Sequence, residues 1–197
     1  MSEQQQTLTI QQAIDLAVQH HNAGRLPEAE NIYQQILQTN PDHPEAHFNL
    51  GYALQDLGKL EEAVACYHKA LAIKLDYPEA HNNLGNVLKN LGKLEKALAS
   101  YEKALALKPD YPEANNNRGV ALRDLGRLED AVASYCKALA IKQDYFEAHN
   151  NLGNALKDLG KPEEAVASYH KALNLKPGLA EAHNNLGSAL RDLGKPE

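Results

Sequence analysis

Tryptophan is absent from the 197 residues, phenylalanine occurs only at Phe48 and Phe146, and methionine occurs once. A core without large aromatics must be built from Ala, Leu and the nine Tyr, which suits close helix packing better than a thick sheet sandwich. Cysteine is nearly missing as well. Cys66 and Cys136 are too few for a disulfide framework, and both are expected to stay thiols in a reducing compartment. No apolar run approaches the ~18 residues that a membrane span needs. The opening MSEQQQTLT has no basic stretch leading into an apolar one, so neither a leader nor a membrane partner is expected, and the compartment implied is the cytoplasm. Positive charge is in deficit, with 20 Lys and Arg against 26 Asp and Glu. A net charge of −6 provides no field to collect a polyanion, which argues against nucleic acid. The length allows one domain or one repeat array and leaves no room for a multidomain enzyme.

Motifs that carry chemistry are missing too. There is no Cys-x-x-Cys, no His-Glu-x-x-His and no nucleophile elbow. Gly51 and Gly58-Lys59 superficially suggest a phosphate loop, but six residues separate the glycines instead of four. Of the nine histidines, His47, His81, His149 and His183 occupy one repeated place. Ligands of one ion must lie about 2 Å from it, so histidines a whole repeat apart cannot share a metal. His20 and His21 are adjacent on a helix and point apart. The expectation is therefore no catalytic residue, no metal and no cofactor.

What the chain does contain is repetition. The segment beginning PEAHFNLGYALQDLGKLEEAVACYHKAL at Pro44 recurs from Pro78, from Pro112 and, with Phe in place of Pro, from Phe146, at a period of 34 residues. A diverged copy covers 10–43, and a last copy from Ala180 has only its first half. The organisation expected is a polar tail over 1–9 and an array over 10–197, with repeats 10–43, 44–77, 78–111, 112–145 and 146–179 and a half repeat 180–197. In each repeat Gly51, Gly85, Gly119, Gly153 or Gly187 sits inside a helical pattern, while Gly58, Gly92, Gly126, Gly160 or Gly194 ends it. Each repeat is thus two helices joined by a tight turn. Acids such as Glu61 and Glu62 open the second helix and Lys69 and Lys74 close it, as the helix dipole favours. A glycine inside a helix costs about 1 kcal/mol relative to alanine, so its recurrence implies a neighbour too close for a Cβ, expected here to be another backbone beside Ala63 and Ala70. Tyr67, Tyr101, Tyr135 and Tyr169 are the expected large core residues.

The combination Leu50-Gly51, Gly58, Ala63, Tyr67 and Ala70, recurring over 10–179, resembles the tetratricopeptide repeat (TPR) family. It departs from that pattern where His47, His81, Asn115 and His149 stand in the usual Trp place, and where Leu75 and Gln143 replace the closing Pro seen at Pro41, Pro109 and Pro177. The resemblance implies an all-α fold, an α-α superhelix (TPR solenoid) of five full helix-turn-helix repeats plus a terminal half repeat, whose first helices line a concave groove. The Lys and Arg clamp of chaperone-binding members is not matched, since Glu45, Glu79 and Asn82 stand at its places.

On a helix turning about 100° per residue, Ala80, Leu84, Val87, Leu88 and Leu91 share one side, and Glu79, Asn82, Asn83, Asn86, Lys89 and Asn90 fall opposite. Asn49, Asn83, Asn117, Asn151 and Asn185 hold one place in five successive repeats, while the place three residues later drifts through Tyr52, Asn86, Val120, Asn154 and Ser188. An Asn amide offers an acceptor and two donors, matching a peptide unit without reading a side chain. The five positions resemble the asparagine ladder in the repeats of O-linked N-acetylglucosamine transferase. The alternative is recent duplication with each Asn bonded to a neighbouring helix. Candidate peptide-binding residues are these five with Asn86, Asn154, Lys89, Arg123, Lys157 and Arg118. Arg118 occupies a place that is Leu50, Leu84, Leu152 and Leu186 elsewhere. It must snorkel toward water or meet an acid, as a bystander or as an anchor for an acidic ligand group.

The function expected is a non-catalytic scaffold that binds an extended peptide or protein segment in the groove. One alternative is the substrate-recognition arm of a larger protein O-glycosyltransferase-like enzyme, cut before its catalytic domain. The other is a self-assembling scaffold. The helix over 180–193 has the sequence of an internal one, so the chain is expected to stop at a truncation, and end-to-end self-association through 180–197 is the consequence drawn from it.

Overall fold

The computed structural model describes residues 9–194, so the tail expected over 1–9, apart from Thr9, and residues 195–197 lie outside the described part. Among the described residues the fold is all-α with no strand. Eleven helices follow in order: α1 (Ile10–Asn22), α2 (Leu26–Thr39), α3 (Pro44–Asp56), α4 (Leu60–Ile73), α5 (Pro78–Asn90), α6 (Leu94–Leu107), α7 (Pro112–Asp124), α8 (Leu128–Ile141), α9 (Phe146–Asp158), α10 (Pro162–Leu175) and α11 (Ala180–Asp192). That is the number required by five helix pairs and a half. The odd-numbered elements are the first helices of the repeats. The chain divides between Gly92 and Lys93 into two compact units, one holding α1–α5 and the other α6–α11.

Local chemistry sets the ends. Pro44, Pro78, Pro112 and Pro162 open helices at a position whose N–H has no intrahelical partner in any case. Thr9 and Gln12 form a reciprocal capping box at α1. At the turn inside a repeat the glycine adopts a left-handed conformation, with φ of 75° at Gly58 and 73° at Gly160. The next N–H then reaches back to the helix, as in Lys59 N to Leu54 O at 2.8 Å and Lys161 N to Leu156 O at 2.9 Å.

The expected backbone contact at the mid-helix glycine is not what the structure shows. A Cβ on Gly51 would lie 3.0 Å from Cε1 of Tyr67, one on Gly119 2.6 Å from Cε1 of Tyr135, and one on Gly153 2.5 Å from Cε1 of Tyr169. The first helix gives up its side chain so that a tyrosine ring of the second can lie flat against it. Tyr33, Tyr67, Tyr101, Tyr135 and Tyr169 are each no more than 1% exposed, and alanines such as Ala63, Ala70, Ala131 and Ala165 fill the space around them. In the second unit Leu156, Ala165, Tyr169 and Ala189 form a cluster on which Val132, Leu152, Val166 and Leu186 pack.

The place usually held by Trp ties each first helix to the loop before it. Nε2 of His47 donates to the Pro41 carbonyl at 2.7 Å, that of His149 to Gln143 at 3.1 Å and that of His183 to Pro177 at 2.8 Å. Burial lowers the pKa of His47 and His149, against the loop bonds that raise it, favouring a neutral ring. The acceptor is a backbone carbonyl, so Gln143 serves as well as Pro. Asn115, with a shorter side chain, donates instead to the N-cap carbonyl of its own helix, Tyr111 O, at 3.2 Å.

Candidate functional site

Each of Asn49, Asn83, Asn117, Asn151 and Asn185 is half-buried, one per first helix from α3 to α11. The residue before each was expected on the same outward stripe. Instead Asn82, Asn116 and Asn150 are 3–6% exposed. One residue back along the helix is about a 100° turn, enough to point the side chain at a neighbouring helix. A buried amide must be hydrogen-bonded. Asn151 Nδ2 donates to Asn116 Oδ1 at 3.0 Å, and Asn185 Nδ2 to Asn150 Oδ1 at 3.3 Å. Asn150 Nδ2 donates in turn to Glu181 Oε1 at 3.0 Å, while Asn82 donates to Asn83 Oδ1 at 3.3 Å on its own helix.

Asn151 and Asn185 are therefore part of the stacking. Among the described residues, no protein group engages the carbonyl oxygen and second N–H of Asn151 and Asn185, and none is hydrogen-bonded to the Asn49 side chain. Asn83 also bonds the Tyr67 phenol, whose pKa burial drives strongly upward.

The remaining candidates are mostly rungs between successive first helices. Arg123 Nε donates to Asp158 Oδ2 at 2.7 Å and Lys157 Nζ to Ser188 Oγ at 3.1 Å. In the first unit His21 Nε2 bonds Asp56 Oδ2 at 2.9 Å. The place expected to be exposed three residues past the ladder is half-buried at Asn86 and Asn154, and Asn154 Oδ1 accepts the Tyr169 hydroxyl at 2.8 Å. Lys89 is half-buried on α5.

Arg118 does not join the asparagines. Its Nη1 donates to Ser134 Oγ on α8 at 3.2 Å, and its Nε lies 4.0 Å from Glu102 Oε1 on α6. It lines a 520 Å3 cleft with Lys137 and Ile141, where the leucine it replaces lines the matching clefts elsewhere. Those clefts, 640 Å3 each, lie against Leu50, Cys66 and Lys69 in the first unit and against Leu152, Ser168 and Lys171 in the second. Burial pushes the Cys66 thiol up to about 11, so it is a poor nucleophile at neutral pH. Among the described residues no group of three or more His, Cys, Asp and Glu is placed to hold a metal ion, and no helix is long and apolar enough to cross a membrane.

A pocket that sequence reasoning missed lies beside Asn49. It measures 230 Å3 and is bounded by Val18 and His21 of α1, Tyr33 of α2, and Phe48 and Tyr52 of α3. The signal was available, because residue 18 is the same repeat place as Tyr52. Burial, with Glu45 nearby, pushes the Tyr33 phenol up to about 12, so it is neutral at the pocket floor.

A family model described as "TPR repeat" matches residues 54–92, 120–160 and 153–194, more than half of the chain. Models described as "Tetratricopeptide repeat" match 78–111, 32–65 with 100–133, and 11–35. A search of curated proteins gave no match. Among solved structures, the type IV pilus biogenesis factor PilW is 23% identical, with 95% of this chain and 87% of that one covered and a TM-score of 0.87. TTC0263, a TPR protein of Thermus thermophilus, is 27% identical over 93% of this chain and 100% of its own, at a TM-score of 0.74. YrrB, described as a TPR protein with an unusual peptide-binding site, is 22% identical over 87% and 89%, at 0.71.

Proposed function

Since the chain belongs to the TPR repeat family, we propose that it is a non-catalytic interaction module that holds an extended segment of a partner protein along the first helices of each unit. One observation carries this reading: a half-buried asparagine recurs at one place from α3 to α11, and at Asn49, Asn151 and Asn185 amide groups are left for a ligand. Packed helices lie about 10 Å apart. An extended chain rises about 3.3 Å per residue, so it would meet one asparagine every third residue. Contacts of that kind grip backbone and tolerate many sequences. Arg123 and Lys157, already bonded across the stack, shape the face more than they contact the ligand. YrrB, similar in fold, is described as having a peptide-binding site. The five positions resemble the asparagine ladder of O-linked N-acetylglucosamine transferase, and the module would serve equally as the recognition arm of such an enzyme.

Association with a second copy is a further reading, favoured by α11. Leu190 is half-buried, whereas its counterparts Leu54, Leu88, Leu122 and Leu156 are 1–6% exposed. Sedimentation against concentration separates this reading from the first.

The groove is tested by panning a random twelve-residue peptide library on the protein and on its Asn117→Ala, Asn151→Ala, Asn185→Ala variant. Peptides enriched on the parent should bind the variant about ten- to a thousandfold more weakly, from about 0.5–1.5 kcal/mol for each of the lost bonds. Equal affinity would sink the ladder.

A further inference from the structure

We infer that the pocket between α1 and α3 takes one large apolar side chain, aromatic or branched aliphatic, from the bound segment, and so sets the one sequence requirement of an otherwise backbone-directed groove. The inference rests on the groove reading above. Its size limits the occupant: pockets for drug-sized ligands run about 300–1,000 Å3, whereas this one measures 230 Å3. One side chain fits, and a cofactor does not.

Its chemistry narrows the choice further. Val18 and Tyr52 at its rim are 36% and 44% exposed, large apolar groups turned outward at a place that carries an amide on α5 and α9. Phe48 forms a wall, held by Tyr67 and Tyr77 with ring centroids 5.9 and 4.9 Å away. The opposite wall is braced as well, since His21 is bonded to Asp56 at 2.9 Å and its ring lies 4.7 Å from that of Tyr52. The walls are thus in place before any ligand arrives. Asn49 sits at the same pocket, half-buried and with no side-chain hydrogen bond. An apolar cavity beside an unengaged amide is the complement of a peptide unit beside a large apolar side chain.

The apolar lining of the pocket is not repeated in the later first helices. The place of Phe48 is Asn82, Asn116, Asn150 and Asn184 in later first helices, and the place of Val18 and Tyr52 becomes Asn86, Val120, Asn154 and Ser188. Exchanging Val18 and Tyr52 for the Asn that α5 and α9 carry should therefore remove the pocket and keep the fold.

The test pans the same twelve-residue library on the parent and on the Val18→Asn, Tyr52→Asn variant, with helicity and melting temperature checked first. Peptides enriched on the parent should share Phe, Tyr, Leu or Ile at one fixed place. The variant should lose that preference and bind the same peptides about ten- to a hundredfold more weakly. A parent consensus without an apolar place, or a preference that survives in the variant, overturns the pocket and leaves the ladder standing. A preference lost in Val18→Asn, Tyr52→Asn but an affinity untouched by the Asn117, Asn151 and Asn185 substitutions keeps the pocket and overturns the ladder. No enrichment on the parent overturns both.

Discussion

α3 in the first unit and α7, α9 and α11 in the second carry the same ladder asparagine and differ in what surrounds it. Around Asn49 on α3 stand Val18, Phe48 and Tyr52, and the amide has no protein partner. On α7, α9 and α11 the place of Phe48 is an asparagine, and Asn151 and Asn185 are stitched to Asn116 and Asn150. Meanwhile the tyrosines of both units are buried to the same degree. The stack has its tyrosine and its small residues in every full repeat, with Ala17 standing at the glycine place of the first. The outward face is under no such demand, so one region could become apolar while the other became a polar network with the fold unchanged.

The comparison is tested most strongly where it claims sameness. Tyr33→Ala and Tyr169→Ala should each cost about 3–5 kcal/mol, the usual loss on emptying an aromatic site. Urea unfolding of both variants would show it, and a much smaller loss for Tyr33 would mean that the first unit packs differently. A clear difference is expected next among the asparagines. Asn151→Ala with Asn185→Ala removes two inter-helix bonds and leaves buried acceptors on Asn116 and Asn150, a loss of about 1–3 kcal/mol. Asn49→Ala should leave the unfolding midpoint where it was. In the second unit the ladder amides thus contribute to stability through these bonds.

The glycines give a finer contrast. Replacing a mid-helix glycine by alanine gains about 1 kcal/mol of helix propensity, while forcing a methyl group into a packed site costs about 1–3 kcal/mol. At Gly153 the added Cβ would sit 2.5 Å from the Tyr169 ring, so the clash should win and Gly153→Ala should be destabilised. At Gly51 the gap is 3.0 Å and the two effects should nearly cancel. Thermal melts of the two single variants check the sign of each. The smallest effect is expected at Arg118→Leu. Glu102 is largely exposed and 4.0 Å away, an arrangement worth about 0–1 kcal/mol, and Ser134 keeps its own bond to the Asp130 carbonyl at 2.9 Å. A melting temperature that holds or rises fits the cleft described here, and a fall of several degrees would assign Arg118 a structural role.

The period of 34 residues made the helix pairs legible, because two kinds of glycine alternate with an apolar stripe at helical spacing. The buried tyrosines were legible for the same reason. What lies against a glycine was not: the residue says that a Cβ is excluded and says nothing of what excludes it, here the ring of Tyr67 and not a backbone. A helical wheel also misplaced Asn82, whose repeat place Asn116 and Asn150 share. It divides one helix into an inner and an outer side, whereas a helix in a stack has neighbours on its flanks as well, and these residues point there. Arg118 was expected to snorkel toward water or meet an acid, and the sequence did not say where: the position keeps the direction of the leucine it replaces, and the side chain follows into the cleft between second helices. The Val18 pocket escaped because α1 belongs to the most diverged repeat, where the register with Tyr52 is hardest to see.

The central claim is that ligand binds along the first helices and not in the larger clefts between second helices. The direct measurement is nuclear magnetic resonance of the 15N-labelled protein, following side-chain amide signals during titration with a library-enriched peptide. The account predicts shifts of the Asn49, Asn151 and Asn185 amides, with the backbone signals of Cys66, Lys69 and Lys137 unmoved. Shifts confined to Cys66, Lys69, Lys137 and Ser168, with the asparagine amides unmoved, would contradict it.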